Sequence, residues 1–447
     1  MQICVVGTGY VGLVTGTCLA EIGHRVVCVD DDRRKIDMLQ GGGMPIYEPG
    51  LEELVARNRR EGRLTFTADL EKGVGAATVI FICVGTPPLE DGDADLSAVE
   101  QVARRIAELS SSYKLVVEKS TVPVQTGMWI EKTMKVYRND GHIEFDVASN
   151  PEFLREGTAV ADFLHPDRIV VGVGHPRAER LLREMYEPIV RRTFPCPLHS
   201  PCPGTEPVPF LVTDIRSAEL IKHASNSFLT MKISFINSVA DLCELVGADV
   251  QLVAEGMGLD RRIGRAFLNA GLGFGGFCFP KDLQAFVKIA EKCGHDFRLL
   301  REVDRINQAR IHQAIKKLRD QLWILKDKLI GVWGLAFKPD TDDVRYSPAI
   351  ALIKQLLAEG VVVRAYDPKA TEKAWHELPS AMYCRDPYEA ASGADALVVA
   401  TEWKEFESLD LTRVKALMRR PLMLDGRNLF DREKMRSMGF EYLGIGR

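Results

Sequence analysis

Short apolar runs alternate with stretches of helical period at both ends of the chain. "ICVVGTGYVG", from Ile3 to Gly12, reads as a buried strand running into a turn. A helical stretch from Leu13 to Ile22 follows, then a second strand, "RVVCVD", ending at Asp30. Three further runs continue the pattern: Ala77–Pro88, Tyr113–Pro123 and Phe145–Leu154. Helical segments separate the first two pairs, so a parallel sheet is predicted. Each run ends in polar or turn residues, Thr86, then Ser120 with Thr121, then Asn150 with Glu152. Open α/β sheets bind ligands at such carboxyl ends.

The middle of the chain has a different pattern. From Asp214, a plausible N-cap, to about Val246 there is neither proline nor glycine. This predicts one helix of roughly 33 residues, about 50 Å long. Apolar positions lie on more than one side of it, which suits a spine between domains or subunits. Beyond it "DKLIGVWGLAFKP", "SPAIALIKQLLAEG" and "VVVRAYDP" repeat strand, turn, helix and strand, and "ADALVVATEW" and "PLMLDGRN" add two short strands. The predicted fold is α/β, with two Rossmann-like doubly wound parallel-sheet domains joined by a long central helix. Its expected divisions are 1–210, 211–318 and 319–447. The proline-rich segment 196–209 has the composition of a surface loop.

Composition narrows the function. Hydrophobic residues are 46% and charged residues 27% of the 447 residues, and no apolar stretch reaches membrane-spanning length. The formal charge of −4 comes without single-sign blocks, so neither nucleic acid nor a membrane is expected as a partner. "MQICVVGTGYVG" enters the strand pattern at its second residue, leaving no room for a signal peptide. The ten cysteines form no CxxC pair, and no His cluster at metal spacing is evident, so no metal site or disulfide framework is expected. A reducing cytoplasm fits.

Gly7, Gly9 and Gly12 form GxGxxG between a strand and a helix, and Asp30 lies 23 residues after Gly7. The first glycine permits the turn, the second lets backbone approach a pyrophosphate, and the third allows close helix–strand packing. Asp30 would accept ribose hydroxyls and repel a 2′-phosphate, which favours NAD. The first turn of the C-terminal repeat reads "GLAFKP" instead, and Lys338 there is a candidate phosphate ligand. A third stretch, "GFGGFCFPKD" (Gly273–Asp282), sets Cys278 among glycines with Lys281 and Asp282 just after it. Lys222 and Asn226, four apart on the long helix, leave the same face.

Seven motifs, "GTGYVG", "VGTPP", "STVPV", "NPEFLREG", "AELIKHASNSFL", "GGFCFPKD" and "FKPDTDDVR", stand in the order found in the UDP-glucose 6-dehydrogenases of the UDP-glucose/GDP-mannose dehydrogenase family. The chain resembles that family over nearly its whole length. The resemblance implies oxidation of the C6 alcohol of UDP-glucose to a carboxylate, with two NAD reduced, in a homodimer. It implies Cys278 as nucleophile, with Lys222, Asn226, Asp282, Glu152 and Thr121 in catalysis. It implies NAD contacts from Gly7, Gly9, Val11, Gly12, Asp30, Lys35, Thr86, Thr121, Glu156, Lys281 and Arg345. For the UDP-sugar it implies Glu152, Phe153, Leu154, Arg155, Glu156, Lys222, Asn226, Phe267, Leu268, Asn269, Ala270, Gly271, Gly275 and Lys338, with Arg262 reaching a neighbouring subunit. The glycines around Cys278 are expected to leave backbone bare for a hexose.

The chain departs from the family at Phe277, at Gln125, where glycine is usual, and at Ser238. Another nucleotide sugar, such as GDP-mannose or a UDP-N-acetyl-hexosamine, is the alternative substrate. A non-catalytic dinucleotide sensor would not need the thiol. Neither would a 2-hydroxy-acid dehydrogenase, which transfers a single hydride.

Overall fold

A computed structural model describes residues 1–90, 92–139, 143–199, 202 and 206–447. Positions 200, 201 and 203–205 of the proline-rich segment lie outside the described residues. The chain divides into two compact units, Met1–Ser225 and Asn226–Arg447.

The first unit contains β1 (Gln2–Val6), β2 (Arg25–Val29), β3 (Leu64–Thr67), β4 (Val79–Ile82), β5 (Lys114–Glu118), β6 (Phe145–Ser149), β7 (Ile169–Val173) and β8 (Phe210–Thr213). They form one sheet in the order β3-β2-β1-β4-β5-β6-β7-β8. Among the described strands of this sheet, β6 and β7 alone pair antiparallel. The central strands β1, β4 and β5 are apolar on both faces, as a sheet covered on both sides requires. Ile3 and Val5 of β1 and Val79 and Phe81 of β4 enter one core. Their neighbours Cys4, Val6, Ile80 and Ile82 enter the core on the other side. The chain leaves β1 for β2 and β3 and returns on the other side at β4, so the order reverses beside β1. That reversal opens a crevice at the carboxyl ends of β1 and β4, next to α1 (Tyr10–Glu21).

The long helix, α2, spans Ile215–Val246. Asp214 starts it as expected, its carboxylate accepting from Ser217 N at 2.9 Å and Ser217 Oγ at 2.6 Å.

The second unit contains β9 (Leu329–Trp333), β10 (Val362–Tyr366), β11 (Met382–Tyr383), β12 (Ala396–Val399), β13 (Leu422–Asp425) and β14 (Glu441–Leu443). Their order is β11-β10-β9-β12-β13-β14, and every pair is parallel. The unit also holds α3 (Cys278–Lys292), α4 (Arg298–Leu322) and α5 (Pro348–Ala358). Its core runs unbroken from Ile236 and Ala240 on α2, through Ile315 and Leu318 on α4, to Ile330 and Val332 on β9. Pro348 and a Ser347 cap start α5, and Gly360, at φ 78°, follows it.

Candidate active site

The turn after β1 is shaped by what its glycines exclude. Gly7 has φ 100°, and a β-carbon there would lie 2.6 Å from the Cys83 carbonyl oxygen. A β-carbon at Gly12 would lie 1.9 Å from the Gly7 carbonyl oxygen. Packing within the chain therefore accounts for both glycines. At Gly9 a β-carbon would meet nothing within 4 Å. Gly9 is the N-cap of α1, whose first turn contains no acidic residue, so the electropositive helix end faces this open ground.

Asp30 closes the cradle. Its Oδ2 accepts from Thr8 N and Thr8 Oγ1, both at 2.7 Å, and its Oδ1 accepts from Asp32 N at 3.0 Å. Lys35 Nζ stands 3.7 Å from Oδ2. Burial raises the carboxyl's pKa, but the Thr8 and Asp32 donors and Lys35 together outweigh it and hold the group below its ordinary range. An ionised acceptor beside an open glycine and a helix N-terminus suits the pyrophosphate and ribose of NAD. Val11 lies half-buried in the first turn of α1.

At the next strand ends, Thr86 Oγ1 donates to the Thr121 carbonyl at 2.8 Å, tying the β4 and β5 loops together. Glu152 is buried, and its Oε1 accepts from Lys222 Nζ at 2.7 Å while Oε2 accepts from Leu154 N at 2.6 Å. The Lys222 ammonium also lies 5.6 Å from the Phe153 ring centre, and the Arg168 guanidinium covers that ring at 3.6 Å. Arg155 faces solvent and pairs with Asp162 at 2.5 Å, and Glu156 is half-buried.

Three groups here escape notice in the sequence. Lys119 is buried and donates to Asn150 Oδ1 at 3.1 Å. Asn150 Oδ1 also accepts from Tyr186 OH at 2.6 Å. Burial pushes the Lys119 ammonium down to about 8 against the pull of Cys83, Glu152 and Glu118. Glu219 on α2 accepts from Gln125 N and Gly127 N, both at 2.7 Å, and so caps the helix Thr126–Tyr137. Gln125 has φ 83°, which explains why glycine suits that position.

In the second unit, Cys278 is the first residue of α3 and is half-buried. A helix N-terminus stabilises an anion placed there, and a thiolate is such an anion. Asp282 lies one turn further along α3 and is fully buried. Its Oδ2 accepts from Asn226 Nδ2 at 2.6 Å, and Lys281 Nζ is 2.9 Å from its Oδ1. Thiol, carboxylate, ammonium and amide therefore share one end of the helix. Arg345 pairs with Asp343 and lies 4.4 Å from the centre of the Phe277 ring.

The glycines before Cys278 do not leave the bare backbone expected for a hexose. A β-carbon on Gly273, at φ 104°, would lie 2.5 Å from Asn307 Oδ1. On Gly275 it would lie 2.3 Å from the Tyr346 carbonyl oxygen, and on Gly276 2.7 Å from the Phe337 ring. The chain's own groups take up that space. Asn307 also clasps Phe274, accepting from its N at 2.8 Å and donating to its O at 3.0 Å.

The segment from Phe267 to Gly271 is similarly anchored. Phe267 has φ 65°, Leu268 and Ala270 are buried, and Arg265 holds Asn269 Oδ1 at 2.7 Å. Gly271 N donates to Asn237 Oδ1 at 2.8 Å, and Gly271 O accepts from buried Arg310 at 3.2 Å. A recess of about 220 Å³ is lined by Leu268, Asn269, Ala270, Glu402, Arg427 and Asn428, among others. Lys338 is half-buried over the Phe337 ring, 5.7 Å from its centre. Arg262 is exposed and held by Asp260 at 2.6 Å.

Three stretches match models of the UDP-glucose/GDP-mannose dehydrogenase family. Its NAD binding domain matches residues 1–190, its central domain 216–309 and its UDP binding domain 331–432. A UDP-glucose 6-dehydrogenase of Rhizobium meliloti is 47% identical over 451 residues, covering 100% of both chains. One from Bacillus subtilis is 45% identical, covering 100% of this chain and 93% of its own. Among solved structures, a UDP-glucose dehydrogenase from Pyrobaculum islandicum superposes with a TM-score of 0.90 at 40% identity, covering 99% of this chain and 97% of that one.

Proposed function

The chain belongs to the UDP-glucose/GDP-mannose dehydrogenase family, and from that premise we propose that it oxidises UDP-glucose to UDP-glucuronate at C6 through a thioester on Cys278. What carries the reading is Cys278 at the N-terminus of α3 with the buried Asp282 carboxylate one turn on, in a chain whose other unit holds an NAD cradle. Full-length relatives named for this activity support the substrate.

NAD, when bound by the glycine turn and Asp30, accepts a hydride at each of the two oxidations. The chain's own residues supply the rest. Lys222 and Asn226, one turn apart on α2, hold the C6 oxygen as its charge develops. The Cys278 thiolate adds to the aldehyde carbon, a C–S bond forms, and the oxygen takes up a proton to give a thiohemiacetal. Loss of a hydride and the hydroxyl proton leaves a thioester. Glu152 and Thr121 position the water that adds to it. The C–S bond then breaks, releasing the acid and returning the thiol. Asp282 orients groups around the sulfur, and Lys281 adds positive potential. Phe153, the 267–271 segment and Lys338 hold the UDP-sugar.

The functional division is proposed as 1–210 for NAD, 211–318 for dimerisation and 319–447 for the UDP-sugar. The dimer rests on Phe228, Phe235 and Leu242, which recur every seven residues of α2 and are 57%, 52% and 57% exposed. Light scattering should give the mass of two chains. A cytoplasmic setting accords with ten cysteines that form no disulfide. Among the described residues no helix is long and apolar enough to cross a membrane.

The test is product stoichiometry. UDP-glucose with excess NAD should yield two NADH per UDP-glucuronate. One NADH per turnover, or a strong preference for GDP-mannose or a UDP-N-acetyl-hexosamine in parallel assays, would overturn the assignment.

A further inference from the structure

The first unit gathers a second set of ligating side chains that neither the NAD cradle nor the thiol chemistry uses. The stretch Cys196–Cys202 reads C-P-L-H-S-P-C, which spaces Cys196, His199 and Cys202 three apart. His165, immediately after the helix Ala159–Leu164, lies against them. Its Nε2 is 3.2 Å from Cys196 Sγ, and Cys202 Sγ is 3.7 Å from each ring nitrogen. Cys196 Sγ is 3.6 Å from His199 Nδ1. The two imidazole rings meet edge to face with centroids 5.3 Å apart. One atom each from His165, Cys196 and Cys202 lies within 4.8 Å of the other two.

A tetrahedral zinc ion, with arms of about 2.3 Å to sulfur and about 2.0 Å to nitrogen, has sulfur–nitrogen edges of about 3.6 Å. His165 lies 3.2 Å from one thiol and 3.7 Å from the other, close to that edge, and these three side chains form the preformed part of the site. His199, in reach of Cys196 at 3.6 Å, swings inward to complete the four. We propose that His165, Cys196, His199 and Cys202 form a structural zinc site that ties the proline-rich segment to the turn before β7. Two thiolates and two imidazoles are a soft donor set that suits zinc and disfavours magnesium or calcium. Four protein ligands leave no coordination position for water, which makes the ion structural.

Binding releases the two thiol protons and transfers no electrons. His165 coordinates through Nε2, because Arg192 Nη1 stands 3.3 Å from Nδ1. On loading, the ring proton sits on Nδ1 and the guanidinium end turns aside, while Arg192 Nε keeps its bond to the Glu206 carbonyl at 2.8 Å. The sequence had pointed to no metal site. Three of the ligands stand in one seven-residue run, but the fourth comes from 31 residues before Cys196 and only the fold supplies it.

The test uses the full chain, stripped with chelator under reductant and titrated with zinc alone against a chromogenic competitor, then with cobalt(II). One tightly held zinc per chain is expected. Cobalt should give the intense visible bands of a tetrahedral site together with thiolate charge transfer. The double variant Cys196→Ser/Cys202→Ser should lose both signals and keep NAD binding, which also separates this site from Cys278. Should that variant fold poorly, His199→Ala is expected to weaken zinc binding by about tenfold or more with both thiols retained. Undiminished zinc uptake in these variants, or no thiolate–cobalt band, would overturn the proposal. So would a Cys196–Cys202 disulfide whose reduced form takes up no zinc.

Discussion

Gly7 after β1 and Gly334 after β9 both take positive φ, 100° and 92°, and both donate to the end of the neighbouring strand, to Val29 O at 2.7 Å and Tyr366 O at 2.8 Å. The next residues, Thr8 and Leu335, both donate N–H at 2.7 Å to a carboxylate at the end of the second strand, Asp30 in one unit and Asp367 in the other. Each carboxylate also accepts from the backbone two residues on, Asp32 N at 3.0 Å and Lys369 N at 2.9 Å. From there the two turns diverge. After Gly7 the helix begins three residues on, at Tyr10, whereas after Gly334 it begins fourteen on, at Pro348. Where Gly9 faces open ground, Ala336 donates its N to Asp367 at 3.0 Å and accepts from Thr401 Oγ1 at 2.6 Å. One scaffold thus serves two purposes. A short turn leaves a helix N-terminus open, and a long one fills the same place with protein.

If the two units divide the labour as proposed, with hydride acceptor in the first and nucleophile in the second, the largest effect comes from the second. Cys278→Ser should reduce acid formation to background while NADH still binds, as read by the quenching of protein fluorescence. Turnover at the wild-type rate would remove the covalent step.

The two aspartates come next. Asp367 is buried and accepts from Leu335 N, Ala336 N, Lys369 N, Ala370 N and Trp403 Nε1. Each buried donor left unpaired costs about 1–3 kcal/mol, so Asp367→Ala should lower stability by several kcal/mol in urea unfolding. Asp30→Ala strands only Thr8 and Asp32 donors, should cost less, and should instead raise KM for NAD. Equal stability losses would contradict the contrast between an open and a filled turn.

The glycines sharpen it further. Gly12→Ala forces a β-carbon to 1.9 Å from the Gly7 carbonyl oxygen, and such overpacking costs about 1–3 kcal/mol. Gly9→Ala meets no atom of the chain, so its melting temperature should scarcely move while NAD affinity falls. A large loss of stability at Gly9 would mean that the open ground is not the cofactor's.

Much of this was legible in the sequence, for reasons specific to each element. The central strands β1, β4, β5, β9, β12 and β13 read clearly because a sheet covered on both faces demands unbroken apolar runs. Strands β3, β8, β11 and β14 are two to four residues long and partly exposed, too short to show a periodic pattern of their own. Lys222 and Asn226, four apart on the long helix, follow from helical spacing, whereas the helix that sets Asp282 one turn after Cys278 emerges only in the fold. The partners of Lys222 and Asn226 do not follow from spacing. Glu152 is 70 residues before Lys222, and Asp282 is 56 after Asn226. The glycine-rich stretch was legible as a close approach, but only the fold shows that Phe337, Tyr346 and Asn307 make it.

The smallest effect lies in how the two units respond to pH at matching places, the ends of β5 and β13. The first unit has Lys119 there, lowered to about 8 by burial. The second has Asp425, whose carboxyl burial raises despite hydrogen bonds from Phe430 N and Tyr442 OH. For the lysine, the unfolded chain, with a pKa of about 10.4, binds more protons than the folded one between about 8 and that value. Stability therefore rises with pH across this window, by at most about 1.4 kcal/mol per pH unit. For the aspartate the folded state holds the extra proton. Its contribution is complete below the unfolded value of about 3.9 and is lost as pH rises through the higher folded one. Lys119→Met should flatten the alkaline limb of a stability–pH profile and leave the acid limb alone, while Asp425→Asn should do the reverse. If either substitution altered both limbs equally, the two strand ends would not be titrating as separate groups with opposite signs.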